Sequence, residues 1–138
     1  MANKILAFIE SKDGKFKNSA FEVLTEANKI AADSNSELIV LTIGSGLESE
    51  AVNLKNYITG KLLIIDQSEL NGKSSKQGFI HSPSAYAKVI SEVAISQNAN
   101  IIVLSATSLG KDLAGRIAVK TDSAIFNDCI DINISDGK

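Results

Sequence analysis

Chemistry in this chain has to come from hydroxyls, glycine turns and isolated charges, because it contains one cysteine and one histidine. Cys129 has no second cysteine to pair with, which excludes an intramolecular disulfide and a multi-cysteine zinc site within these residues. It stands in Asp128-Cys129-Ile130-Asp131, where the acids disfavour a thiolate, so it reads as a bystander and not a nucleophile. His81 precedes Ser82-Pro83 and reads as a helix-entry residue, not a general base. No Asp/Glu pair, Ser/His/Asp set or metal-spaced cluster emerges from the spacing.

Four glycine- or hydroxyl-bearing loops remain. Gly44-Ser45-Gly46-Leu47-Glu48-Ser49 approaches the dinucleotide pattern G-x-G-x-x-G, with Ser49 at the third glycine. Asp66 lies twenty residues past Gly46, where a ribose-binding acid is expected. Serine adds bulk where helix and strand must pack closely, so a plain glycine turn competes with this reading. Gly72-Lys73-Ser74 has the end of a phosphate loop but has Gln67 where the leading glycine belongs, and no helix starts at the lysine. Glu10–Lys17 lacks the turn that wraps a flavin phosphate, and Glu10 would repel one. The last loop is Ser105-Ala106-Thr107-Ser108-Leu109-Gly110-Lys111-Asp112-Leu113-Ala114-Gly115-Arg116. Its three hydroxyls at a helix start, with Lys111 nearby, could hold an anion. Asp112 and Arg116 are spaced to pair along one helix face. Helix capping by Thr107 or Ser108 plus a surface ion pair accounts for the same residues.

These loops need elements to hold them. Four nearly continuous apolar runs, Ile5–Ile9, Leu38–Ile43, Leu62–Ile65 and Ile101–Leu104, read as strands buried on both faces. Between them lie helical periods. Ser19-Ala20-Phe21-Glu22 has the form of a capping box, followed by a stripe of Phe21, Leu24, Ala27, Ile30 and Ala31. Leu47–Ile58 reads as a shorter helix enclosing Val52 and Leu54. Ser82-Pro83 starts a third, with Tyr86, Val89, Ile90, Val93 and Ala94 inward. Thr107-Ser108 opens a fourth, carrying Leu109, Leu113 and Ile117. Alternating Ile130, Ile132 and Ile134 within Ala124–Ile134 suggest a last strand with one wet face. The order β-α-β-α-β-α-β-α-β predicts an α/β three-layer sandwich: a mostly parallel central sheet with helices on both faces. Asp66–His81 is polar, lysine-dotted and long for a connection, hence functional or mobile.

Composition narrows the partners. The chain has 138 residues, one domain's length, with 44% hydrophobic and 22% charged residues and a net charge of −2. Thirteen of its 14 basic residues are lysine, there is no Trp, and aromatics make up 5%. That balance argues against nucleic acid or an anionic membrane as the partner. No run approaches the ~18 apolar residues of a membrane span, and the short run Ile5–Ile9 is no signal peptide. A cytoplasmic location is the expectation.

The last loop, continued through Ile117-Ala118, resembles the G-A-T-S-x-G-R-D-L-A-P-R-x-A signature of the electron transfer flavoprotein alpha subunit. Ser105, Lys111 and Gly115 replace a glycine, an arginine and a proline of that pattern, while Thr107, Ser108, Gly110, Asp112 and Arg116 keep theirs. The likeness extends along the chain: Ile5–Glu10 and Gly14-Lys15-Phe16-Lys17 resemble the first strand and its glycine-lysine turn, Phe21–Ile30 the first helix, Leu38–Gly46 the second strand and glycine turn, Tyr57–Asp66 the third strand, and Asn127-Asp128-Cys129-Ile130 a late T-D-V segment.

The resemblance implies one domain, residues 1–138, equivalent to that subunit's N-terminal domain, with the domain that binds flavin adenine dinucleotide (FAD) absent from it. It implies a non-enzymatic scaffold that packs on a beta subunit, in a carrier taking electrons from dehydrogenases such as acyl-CoA dehydrogenases to the respiratory chain. Neither catalytic nor cofactor residues are then expected here, and the candidate partner-contact loop is Thr107, Ser108, Gly110, Lys111, Asp112 and Arg116. Two alternatives stay open: an adenine-nucleotide-binding module of related fold, and a dinucleotide-linked enzyme using Gly44, Gly46 and Asp66.

Overall fold

The computed structural model describes residues 3–66, 83–127, 129 and 131–133. Strand β1 (Lys4–Ile9) leads into a small hairpin, β2 (Ser11–Lys12) and β3 (Lys15–Phe16), then helix α1 (Asn18–Asp33). Strand β4 (Glu37–Gly44), helix α2 (Glu48–Leu54), a 3₁₀ turn (Lys55–Tyr57) and strand β5 (Lys61–Asp66) follow. Helix α3 (Pro83–Ser96), strand β6 (Ile101–Val103) and helix α4 (Ser108–Thr121) complete the order.

The main sheet runs β5-β4-β1-β6, and every pairing in it is parallel. Its runs are continuously apolar because alternate side chains enter two separate cores. Ile5, Ala7 and Ile9 of β1 join Leu38 and Val40 of β4 against Ala20, Val23, Leu24 and Ala27 of α1 and Leu54 of α2. Leu6 and Phe8 join Ile39, Leu41 and Ile43 against Tyr86, Ala87 and Ile90 of α3 and Leu113 and Ile117 of α4. The three-layer sandwich is thus present, with helices on both faces.

Four local expectations change. Helix α1 begins at Asn18, with Lys17 as N-cap and no side-chain cap bond. Ser19 therefore lies inside the first turn, where its Oγ is buried without a partner, and the capping box does not form. Phe21 is exposed and meets Tyr57 edge-on at 6.3 Å between centroids; Ala20 and Val23 take the inward face. The second helix divides into α2 and the 3₁₀ turn, leaving Val52 exposed and Ile58 extended. Strand β6 ends one residue early, at Val103.

The hairpin adds a second sheet, for which Asp13-Gly14 supplies left-handed backbone at both turn positions (φ 53° and 76°). Among the described residues of Ala124–Ile134 there is no strand, and Ile130 and Ile134 lie outside them. The Ile132 amide instead donates to Asp131 Oδ1 at 2.9 Å, and Lys29 Nζ donates to the same oxygen at 2.9 Å, tying the tail to α1. Ile132 packs against the α1-side core.

Candidate functional site

The carboxyl ends of β1 and β6 meet at the place where chain order reverses. From β1 the chain steps one way to β4 and β5, then returns to the other side as β6. Open α/β sheets bind their ligands in such a crevice. Here it holds Glu10, the first residue past β1, only 3% exposed. Ser105 Oγ donates a hydrogen bond to Glu10 Oε2. Thr107 Oγ1 donates to the same oxygen at 2.6 Å. Lys17 Nζ faces Oε1 at 3.5 Å, and the Lys17 amide donates to the Glu10 carbonyl at 3.1 Å.

Thr107 serves twice. It is the N-cap of α4, accepting from the Gly110 amide at 3.0 Å, which decides between the two caps, Thr107 and Ser108, that the sequence left open. Gly110 is buried against the Ser105 carbonyl so closely that a Cβ would sit 1.8 Å from that oxygen. The loop is thus closed from both ends: glycine admits the backbone approach, and Glu10 gathers the hydroxyls. Beside it a cleft of about 260 Å³ is lined by Phe8, Tyr86 and Leu109 together with Glu10, Ser11, Lys12 and Lys17. Phe8 and Tyr86 meet edge to face at 6.3 Å, and burial pushes the Tyr86 phenol above its ordinary range.

The other expected residues do not converge here. Ser108 and Lys111 are exposed on the first turn of α4. Asp112 accepts from Arg116 Nε at 3.0 Å along the helix, and Arg116 Nη1 donates to Ser84 Oγ at 2.9 Å, bridging α4 to α3. Gly44 ends β4 under the hairpin: Ser11 Oγ donates to the Ile43 carbonyl at 3.1 Å, and a Cβ at Gly44 would meet that hydroxyl at 2.6 Å, whereas Gly46 is exposed in the turn that follows. Asp66 is in register with Gly44 on β5, but its side chain lies outside the described residues, as do Gly72-Lys73-Ser74 and His81. Cys129 is exposed, its thiol 3.6 Å from the Phe126 carbonyl. Among the described residues no three His, Cys, Asp or Glu side chains group as metal ligands. None of their helices is long and apolar enough to cross a membrane.

Glu10 was missed as a site residue. Its signal is an acid directly after a buried strand, which the sequence shows only as a charge that repels phosphate and as the end of a strand resembling the family's first.

Residues 5–138 match the electron transfer flavoprotein domain family. The chain belongs to that family. Its relatives include the acryloyl-CoA reductase electron transfer subunit beta of Anaerotignum propionicum, 30% identical over 134 residues, which is 97% of this chain and 34% of that protein. The electron transfer flavoprotein subunit alpha of Thermoanaerobacterium thermosaccharolyticum is 30% identical over 132 residues, covering 96% and 38%. That of Bacillus subtilis (strain 168) is 26% identical over 137 residues, covering 99% and 39%. The resemblance to the alpha subunit read from the loop at Ser105–Ala118 therefore holds over nearly the whole chain, which spans well under half the length of these relatives.

Flavin is the group an electron transfer flavoprotein domain brings to mind, and the crevice tests its fit. A pyrophosphate needs donors at the strand ends. Here Ser105 and Thr107 donate to the chain's own carboxylate. With both hydroxyls on Glu10, the described residues of this crevice do not fit a flavin pyrophosphate.

Proposed function

We propose that this chain is a non-catalytic scaffold and subunit-interaction domain of an electron transfer flavoprotein alpha subunit. In the complete carrier, FAD is held outside this chain. A beta subunit is its direct partner, and dehydrogenases such as those acting on acyl-CoA deliver electrons through the full complex to the respiratory chain. The observation that carries this reading is the family match over residues 5–138, together with alpha-subunit relatives aligned over nearly all of the chain. Supporting the interaction role, Ser108, Lys111, Asp112 and Arg116 of the signature segment are exposed.

The partner-contact proposal keeps Thr107, Ser108, Gly110, Lys111, Asp112 and Arg116 as the candidate loop. Thr107 and Gly110 shape it; Asp112 and Arg116 are exposed on α4 and reach a partner from there. Titrating wild type and Arg116→Ala against the cognate beta subunit, with thermal melts alongside, tests it. The expected result is an affinity loss of about tenfold that exceeds the effect on melting. Equal affinities return the loop to a capped helix. The purified chain is also expected to be colourless; a flavin absorption band that survives gel filtration overturns the placement of FAD elsewhere.

A further inference from the structure

Burying a carboxylate is unfavourable unless hydrogen bonds or opposite charge compensate it. Glu10, at the end of β1, is compensated by groups from two other parts of the fold: Ser105 and Thr107 of the β6–α4 loop, and Lys17 at the entry to α1. Its position coincides with the switch-point crevice, and it lines the cleft that leads there. Two hydroxyl donors and an ammonium around a pair of carboxylate oxygens are what a bound carboxylate or phosphate would meet.

We propose that Glu10 is a built-in anion that fills this seat. It holds the β6–α4 loop as a small anionic ligand would, and it closes the crevice to phosphorylated ligands by occupying the donors and by its charge. Glu10 is then a specificity-determining residue of this domain, and the phosphates of an adenine nucleotide would find the seat taken. The inference concerns the crevice alone and stands whether or not the domain docks on a beta subunit.

The test vacates the seat and offers it a carboxylate from solution. Glu10→Ala is expected to lower the melting temperature by about 5–10 °C. Sodium formate at about 100 mM is expected to restore half or more of that loss relative to the same concentration of sodium chloride. Wild type should respond alike to the two salts and give no calorimetric binding of inorganic phosphate. Glu10→Ser, which shortens the side chain but leaves a polar group, serves as the second variant with the same readout and decides the matter where Glu10→Ala does not fold. Absence of a formate-specific recovery in the folded variant makes Glu10 an ordinary buried polar group. Phosphate binding by wild type as tight as by the variant equally overturns the proposal.

Discussion

Gly110 and Gly115 lie on one helix and face opposite demands. At Gly110 an added Cβ would fall 1.8 Å from the Ser105 carbonyl oxygen, whereas at Gly115 it would meet nothing within 4 Å. Gly110→Ala must therefore push the β6–α4 loop away from α4 and is expected to cost about 1–3 kcal/mol. Gly115→Ala removes backbone freedom from the unfolded chain at an exposed helical position and is expected to stabilise by about 0.5–1 kcal/mol. Urea midpoints of the two variants against wild type check both signs. Thr107→Ala loses the cap on Gly110 and one donor to Glu10, for an expected loss of about 1–2 kcal/mol; Thr107→Ser, which keeps the hydroxyl, should recover most of it. Thr107 was legible in the sequence because capping is local: threonine, then an amide three residues on. Glu10 was not, because its hydroxyl donors lie 95 and 97 residues away and no spacing encodes them.

At the level of elements, periodicity located what packing decides and missed what tertiary contacts override. The Tyr86–Ala94 stripe of α3 and the Leu109–Ile117 stripe of α4 face the core as the spacing requires. The apparent capping box at Ser19 failed because Lys17 is held by its backbone and side chain to Glu10, which fixes the start of α1 before serine can cap it. The hairpin was written in Asp13-Gly14 but its strands are two residues each, too short to show alternation. The tail alternates, yet Asp131 uses the Ile132 amide that a ladder would need.

That tail tether has a defined pH response. The hydrogen bond from Lys29 holds the Asp131 carboxyl below its usual range, helped by Asn133. The same bond with Asp131 raises the Lys29 ammonium above its ordinary value. A lowered folded pKa on Asp131 stabilises the folded arrangement above the ordinary aspartate value, and that contribution is lost as pH falls through the depressed value. A raised pKa on Lys29 contributes below the ordinary lysine value and is lost as pH rises through the elevated one. The Ile132 amide resonance is therefore expected to hold constant across neutral pH, to shift below the ordinary aspartate range, and to shift again where Lys29 loses its proton above the ordinary lysine value. Asp131→Asn should abolish the acidic transition, and a shift centred near neutrality would refute the tether.

Across the whole molecule, the parallel sheet and its two helical layers were legible because a strand buried on both faces has no alternative to a continuous apolar run. The surface was less so. The resemblance implies a partner-contact loop at Thr107, Ser108, Gly110, Lys111, Asp112 and Arg116, and exposed apolar groups are what mark a partner face. Helix α4 has 14 residues, about 21 Å of rise, so its N-terminal loop and the tail leaving its other end are well separated. The exposed large hydrophobic residues in this region are Val119, Ile125 and Phe126, all at or beyond the C-terminal end of α4. The loop end offers hydroxyls and charges; the tail end offers apolar area, which contributes more to association when desolvated. If a beta subunit uses the tail end, Phe126→Asp should weaken the complex by at least about tenfold. Phe126 is 83% exposed, so the same change should leave the domain's own stability within about 0.5 kcal/mol. Lys111→Ala, on the first turn of α4, measured in the same titration, separates the two ends. An effect of Phe126→Asp alone places the interface on the tail side of α4, and an effect of Lys111→Ala alone places it at the loop. Losses from both require a partner that spans the length of the helix.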